Sequence, residues 1–282
     1  MNEALINRIS GIVNEDIVGS LSQGGGCIAN SQIIKTASGK AFFLKQGFSN
    51  GMFPCEANGL KELEKSASIK TPKVVAVDED FLLLEYIEQG GKSREAMFNF
   101  GCSFAQMHQY TGSNFGFYED NFIGATPQIN SPNENWLDFY HEKRLLYQYK
   151  LAEKNGYANT SLKNKFKSIE RQLPEILSGS EERPSLLHGD LWGGNYLIDS
   201  SGNAVLIDPA VYYGHREADL AMTKLFGGFS GEFYKGYQQT LPLKDGYTYR
   251  ENIYLLYHVL NHLNLFGTGY YSHAIQLMDF YL

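Results

Sequence analysis

The 282-residue sequence predicts an α+β fold in two lobes: a small N-terminal lobe built on an antiparallel sheet with a helix, and a larger, mainly helical C-terminal lobe. Two observations predict the division. Four of the six strand-like apolar runs fall before residue 88, whereas helical periodicity dominates from residue 93 onward. Between them lies Glu88-Gln-Gly-Gly-Lys92, polar and glycine-rich as a linker is. The expected boundaries are therefore 1–87, 88–92 and 93–282. A third observation stands apart. The two remaining runs, Tyr196–Ile198 and Ala204–Ile207, form a hairpin inside the helical lobe, with acidic residues on either side of it.

Residues 1–11 read as a short amphipathic helix with Leu5, Ile6 and Ile9 on one face. Ser22 to Asn30 is a glycine-rich turn containing Gly24, Gly25 and Gly26, which can approach phosphates through bare backbone N–H groups. Ser31–Thr36 and Lys40–Lys45 follow as strands around Ala37-Ser-Gly39. A helix begins near Pro54 and runs through Leu63, with Glu56 on its first turn and Leu60 and Leu63 facing the core. Lys73–Val77 and Phe81–Ile87 are two further strands, the second nearly all apolar until Glu85. In the larger lobe a helix spans 93–109, a Gly-, Asn- and Pro-rich loop 111–135, and helices Trp136 to about Lys154 and roughly 160–177. Cys102 and His108 read as core or helix-end residues, and Arg144 lies on a stripe with Leu137, Tyr140 and Tyr147. Beyond the hairpin, Asp219 is placed to anchor the preceding loop through buried hydrogen bonds. His215, Arg216 and Glu217 form a polar loop that either borders a pocket or enters a helix at the surface.

Bulk properties limit the function classes. A net charge of −7 disfavours nucleic acid, whose phosphates attract clustered Lys and Arg. No run reaches the roughly 18 apolar residues of a bilayer span, and MNEALINRIS carries no basic-then-apolar signal. Cys27, Cys55 and Cys102 are widely spaced and odd in number, implying neither a disulfide framework nor a zinc site. A cytoplasmic protein, monomeric or homodimeric, is expected.

The chemistry resides in the hairpin. His188-Gly-Asp190-Leu191…Asn195, followed by Asp208, matches the spacing H-x-D-L-x-x-x-N and a later metal-binding Asp of a kinase catalytic loop. Phosphoryl transfer needs a carboxylate to accept the proton of an attacking hydroxyl, here Asp190, and hard oxygen ligands for Mg²⁺, here Asn195 and Asp208. Lys45 ends an apolar strand, Ala41-Phe-Phe-Leu-Lys45, as the lysine that pairs the α/β-phosphates of ATP does, and Glu56 is placed to hold its ammonium. The backbone near Glu85, Tyr86 and Ile87 is expected to meet adenine. Gly189 and Asp208-Pro-Ala210 depart from the protein-kinase pattern, and only ten residues separate Asp208 from Asp219. That leaves no room for a phospho-switched activation loop, so the acceptor is a small molecule.

His188-Gly-Asp-Leu-Trp-Gly-Gly-Asn195, Asp208-Pro-Ala-Val-Tyr-Tyr-Gly-His-Arg-Glu-Ala-Asp-Leu-Ala-Met222 and Leu225-Phe-Gly-Gly-Phe229 resemble the fructosamine kinase (ketoamine kinase) family within the aminoglycoside-phosphotransferase-like group. Gly24-Gly-Gly-Cys-Ile28, Glu56 with Gly59-Leu60, and Asn121-Phe-Ile-Gly-Ala-Thr-Pro-Gln128 support the resemblance. It implies a protein-kinase-like fold and ATP-dependent phosphorylation of a ketoamine at the C3 hydroxyl. The 3-phosphate then breaks down and frees the amine, which serves protein deglycation. Ribulosamines, erythrulosamines and fructosamines are the candidate acceptors. Trp192, beside the base, either lies against the sugar or packs.

Two rival functions stay open at this point. A kinase of another alcohol, an aminoglycoside or choline, would phosphorylate those compounds and no ketoamine. A nucleotide-binding pseudokinase scaffold would need a damaged catalytic set, yet Lys45, Glu56, Asp190, Asn195 and Asp208 are all present. Cys27 follows three glycines in a phosphate-facing turn where backbone N–H groups lower a thiol pKa. It is expected to oxidise more readily than Cys55 or Cys102, with an intersubunit disulfide blocking ATP; the alternative is an inert residue packed under the turn.

Overall fold

One strand buried on both of its faces organises the small lobe. In the computed structural model, which describes residues 3–23, 30–47 and 50–282, a helix, Glu3–Val13 (α1), precedes the strands Ile17–Gln23 (β1), Asn30–Thr36 (β2) and Ala41–Gln46 (β3). A second helix, Met52–Glu64 (α2), leads to Val74–Asp78 (β4) and Phe81–Glu85 (β5). The five strands form one antiparallel sheet in the order β1-β2-β3-β5-β4. Phe81 and Leu83 pack with Leu5 and Ile9 of α1 on one face, while Leu82 and Leu84 pack with Phe53, Ala57 and Leu60 of α2 on the other. A strand buried on both faces reads as an unbroken apolar run, which is why Phe-Leu-Leu-Leu shows no alternation.

The remaining chain is mainly helical. Arg94–His108 (α3) starts at Ser93, whose Oγ accepts the Ala96 N–H at 3.0 Å. Then come a short hairpin, Asn121–Ile123 (β6) and Thr126–Gln128 (β7), and the helices Trp136–Tyr140 (α4), Leu146–Lys154 (α5) and Thr160–Ile176 (α6). A π-helical turn, His141–Leu145, joins α4 to α5. Ser185–Leu187 (β8) pairs with Tyr212–Gly214 (β11), and Tyr196–Ile198 (β9) with Ala204–Leu206 (β10), all antiparallel. Arg216–Met222 (α7), Gly231–Thr240 (α8), Tyr247–Phe266 (α9) and Tyr271–Asp279 (α10) complete the chain. Their apolar faces share one core with α3 and the β8–β11 strands. Among the described residues no helix is long and apolar enough to cross a membrane.

The β9–β10 hairpin is tied to the segment that follows the sheet and to the stretch between α2 and β4. Gly90 N–H donates to Ile198 O at 2.7 Å, Ser200 N–H donates to Glu88 O at 3.0 Å, and Leu206 N–H donates to Lys70 O at 2.9 Å. The stretch 88–92 thus carries backbone hydrogen bonds to the hairpin at its first residues.

Three features differ from the sequence expectation. β1 was not anticipated; its Val18 and Leu21 are 66% and 61% exposed and Gly19 interrupts it, so this edge strand has little apolar pattern to detect. The expected loop 111–135 contains the β6–β7 hairpin, whose three-residue strands are too short for a period to register. β8 and β11 are likewise three residues each.

Helices α3 and α8 cross at two glycines. A methyl at Gly101 would lie 2.0 Å from Phe233 O, and one at Gly236 would lie 2.1 Å from Phe98 O. Gly11 of α1, by contrast, has nothing within 4 Å of its added methyl. Gly101→Ala should therefore destabilise the fold by about 1–3 kcal/mol or more through overpacking, whereas Gly11→Ala should stabilise it by about 0.5–1 kcal/mol. Urea unfolding midpoints check both; equal shifts of the same sign would contradict the packing account.

Candidate active site

Lys45 follows Phe43 by two positions on β3, so strand alternation turns it toward α2. Its Nζ lies 2.8 Å from Glu56 Oε1 and also contacts Asp208 Oδ1. Sheet, helix and hairpin exit therefore meet at one ammonium. Burial alone would depress the Lys45 pKa, but Glu56 and Asp208 outweigh it and hold the group above its ordinary value. Burial raises the Glu56 carboxyl above the ordinary carboxylate range despite the attraction of Lys45, and Asp208 adds to the rise.

The loop between β8 and β9 is fixed by Asp219 on α7. Its two carboxylate oxygens accept the His188 and Gly189 N–H groups, both at 2.7 Å. Behind it, His108 Nε2–H donates to Asp219 Oδ2 at 3.3 Å, and His108 Nδ1 accepts Tyr237 Oη–H at 2.7 Å. Burial lowers the His108 pKa, so the ring is neutral and this donor order is the consistent one. Burial works to raise the Asp219 pKa, but the contacts from His108, His188 and Gly189 keep it low. The sequence expectation that Asp219 anchors the loop agrees with these bonds.

His188 is fully buried. Its Nε2–H donates to Ile207 O at 2.9 Å and its Nδ1 accepts the Asp190 N–H at 3.3 Å, binding the loop to the residue before Asp208. Gly189 has φ +83°, and a methyl there would lie 2.0 Å from Ala210 O. The arginine that protein kinases carry at this position has no room. Asn195 Nδ2 donates to Asp190 O at 2.8 Å and to Asp190 Oδ2 at 3.2 Å, while Asn195 O accepts the Ile207 N–H at 3.1 Å. Burial raises the Asp190 pKa well above the ordinary value, and Asp208 and Asp219 push it the same way. Asp208 itself adopts φ 53°, a left-handed backbone rare for a residue with a side chain.

These donors fit Mg²⁺. The amide nitrogen of Asn195 is engaged with Asp190, and among the described residues its oxygen accepts no hydrogen bond. Asp208 keeps one oxygen beyond the one on Lys45. An Mg²⁺ carried in on phosphates typically takes one or two such oxygens from protein and keeps its waters. Among the described residues no group of three or more His, Cys, Asp and Glu could hold a metal ion by itself.

Other expected site residues fall less uniformly. Glu85 N–H donates to Lys73 O at 2.9 Å, which removes it as an adenine donor; Tyr86 is 37% exposed and Ile87 is buried. Trp192 is half-buried and meets Phe226 edge-on at 5.9 Å. The expectation that His215 and Arg216 border a pocket is corrected, as is the alternative of a surface helix entry. His215 is buried with its ring nitrogen on Ser180 O. Arg216 is buried between Glu182, at 2.7 Å, and the carbonyls of Leu241 and Pro242, at 2.9 and 2.8 Å. Its Nη1 lies 3.4 Å from Tyr237 Oη, so it backs the chain that leads through His108 to Asp219. Gly24, Gly25, Gly26 and Cys27 lie outside the described residues. Sequence reasoning assigned no role to Asn121, Gln128, Asn130 or Tyr257, which surround the segment after Asp208; the only signal was the stretch Asn121–Gln128.

The family model for fructosamine kinase matches residues 3–282. The chain is 41% identical over 275 residues to a chloroplastic protein-ribulosamine 3-kinase of Oryza sativa subsp. indica, covering 94% of this chain and 79% of the relative. It is 41% identical over 270 residues to the protein of the same name from Arabidopsis thaliana, covering 93% and 82%. Among solved structures, a provisionally named fructosamine-3-kinase from Thermobifida fusca superposes with a TM-score of 0.90 at 30% identity over 99% of each chain. The macrolide 2′-phosphotransferase MphH of Brachybacterium faecium shares the fold alone, with a TM-score of 0.65 at 12% identity over 99% of this chain and 98% of that one.

Removing the Asp219 carboxylate leaves two buried N–H groups and His108 without their acceptor. Asp219→Ala should cost about 3–5 kcal/mol of stability, and Asp219→Asn, which keeps one acceptor oxygen, about 1–3 kcal/mol. Urea denaturation measures both; a cost under about 1 kcal/mol for the alanine variant would contradict the anchoring role.

Proposed function

The chain belongs to the fructosamine kinase family, and from that premise we propose that it transfers the γ-phosphoryl group of ATP to the 3-hydroxyl of a protein-bound ketoamine, with ribulosamine as the preferred sugar. The sugar and the position follow the names of the two plant relatives. The observation that carries the reading is the contact of Lys45 with both Glu56 and Asp208, beside a loop in which Asn195 grips Asp190.

In this reading Asp190 orients the acceptor hydroxyl and takes its proton as the hydroxyl oxygen bonds to the γ-phosphorus and the bond to the ADP oxygen breaks. Lys45, held by Glu56, leaves Asp208 for the α- and β-phosphates. Asn195 and Asp208 hold Mg²⁺, which when bound supplies charge neutralisation on the phosphates. Adenine meets backbone at Tyr86 and Ile87. Trp192 flanks the sugar. We divide the chain for this purpose at 1–87, 88–92 and 93–282, with the nucleotide between the outer parts. Phosphorylation at the 3-hydroxyl would destabilise the adduct and release the amine, a deglycation. A reducing cytoplasm suits the free thiols of Cys55 and Cys102; the plant relatives are chloroplastic by name.

An acceptor of the aminoglycoside or choline type is disfavoured, because the similar curated relatives are named for ribulosamine or ketoamine, whereas likeness to an aminoglycoside phosphotransferase extends to the fold alone. A pseudokinase is disfavoured by the intact set of Lys45, Glu56, Asp190, Asn195 and Asp208.

ATP consumption across ribulosamines, erythrulosamines, fructosamines and aminoglycosides tests the acceptor. Turnover should be highest on a ribulosamine, should cease on chelating divalent cations, and should fall about 10²–10⁴-fold in Asp190→Asn. Turnover of an aminoglycoside with none of any ketoamine would reject the proposal.

A further inference from the structure

We propose that Asn121 and Gln128 are positioning residues that set the Asp208 carboxylate from behind, by holding the carbonyls of the two residues that follow Pro209. The proposal rests on the reading of Asp208 as an Mg²⁺-holding group. Asn121 Nδ2 donates to Val211 O at 2.7 Å, and Gln128 Nε2 donates to Ala210 O at 3.0 Å. Both side chains are buried, and the two residues face each other at the open end of the β6–β7 hairpin.

Asp208 needs such support. Its left-handed backbone is unfavourable for a residue with a Cβ. Its carboxylate is partly exposed, and its ion-pair partner, Lys45, is the group that bound phosphates would also claim. Pro209 has no N–H with which to fix the turn. Restraint must therefore come from neighbouring backbone groups. Ile207 N–H donates to Asn195 O at 3.1 Å, Ala210 N–H donates to His188 O at 2.9 Å, and the carbonyls of Ala210 and Val211 accept from the two amides.

The amides cannot turn around without loss. Tyr257 Oη–H donates to Gln128 Oε1 at 2.7 Å, so the Gln128 NH₂ must face Ala210 O; it also reaches Asn121 Oδ1 at 2.8 Å. Arg144 Nη2 donates to Asn130 Oδ1 at 2.7 Å, and Asn130 Nδ2 donates to Asn121 Oδ1 at 2.9 Å, so the Asn121 NH₂ must face Val211 O. Arg144 is fully buried, with its guanidinium 4.0 Å from the Tyr212 ring centroid and 4.7 Å from that of Phe139. Among the described residues it has no carboxylate partner. The π-helical turn His141–Leu145 carries it, and such turns are frequent at functional sites. A cation at the head of a chain of donors polarises every bond along it toward Val211 O. The network restrains the segment after Asp208 without touching its carboxylate.

The test is Mn²⁺ binding, followed by electron paramagnetic resonance in the presence of a non-hydrolysable ATP analogue, with no turnover. Gln128→Met keeps the length of the side chain but removes both its donors and its acceptor. It should weaken Mn²⁺ binding and lower kcat, each about 10–100-fold, while affinity for the metal-free nucleotide stays within about twofold of wild type. Tyr257→Phe, which removes the donor to Gln128 Oε1 and so loosens the amide without deleting it, should move Mn²⁺ affinity in the same direction by about two- to fivefold, and decides the matter if the methionine variant does not fold. Folded variants with wild-type Mn²⁺ affinity, whatever their melting temperature, would overturn the proposal and leave the network a purely structural one. Wild-type protein that binds Mn²⁺ with nucleotide but phosphorylates no ketoamine would reject the acceptor assignment alone; wild-type protein that binds no Mn²⁺ with nucleotide would overturn both.

Discussion

The contact of Lys45 with Glu56 and Asp208 is the constraint on which the rest of the structure depends. One ammonium is reached from a sheet strand, from the helix packed on that sheet, and from the exit of a hairpin more than 150 residues further along the chain. Each partner needs its own scaffold. β3 must alternate so that Phe42 and Leu44 pack toward α1 while Phe43 and Lys45 turn the other way. α2 must bury Phe53, Ala57 and Leu60 so that Glu56 lies on the rim of that contact. The hairpin must end with Asp208 facing the same space. The ammonium is a buried charge, and it is tolerable because two carboxylates share it.

The second requirement is to keep several carboxylates close together. Burial raises the proton affinity of Asp190, and the neighbouring Asp208 and Asp219 carboxylates add to the rise. The structure separates their tasks by the partners it gives them. Asp219 is saturated by backbone N–H groups and a neutral histidine, so it is an acceptor of structure. Asp208 faces Lys45, and Asp190 faces the carboxamide of Asn195. Three chemically identical groups thus acquire three electrostatic settings from the donors around them.

Much of this was legible in the sequence because the decisive residues sit on regular elements. The apolar run at Phe81–Glu85, the lysine closing Ala41–Lys45 and the glutamate following Pro54 each carry a periodicity that fixes their direction. What escaped has a common physical cause: long-range polar contacts have no local period. Arg216 and His215 look solvent-facing in sequence, yet Glu182 and Ser180, from a segment more than 30 residues upstream, bury them. Asn121, Gln128 and Asn130 look like loop composition, and only the fold brings the first two under the carbonyls of Ala210 and Val211, with Asn130 on Asn121. Edge strand β1, exposed and interrupted by Gly19, offered no burial pattern.

The central claim is that residues from the catalytic loop and the hairpin exit converge on one ion that a nucleotide brings. A crystal structure of the protein with Mg²⁺ and a non-hydrolysable ATP analogue tests it most directly. The account predicts that the side-chain oxygen of Asn195 and one oxygen of Asp208 lie about 2.0–2.1 Å from the same Mg²⁺, with Lys45 moved onto the phosphates and still paired with Glu56. An Mg²⁺ bound by neither side chain, or Lys45 still on Asp208 with nucleotide present, would contradict it.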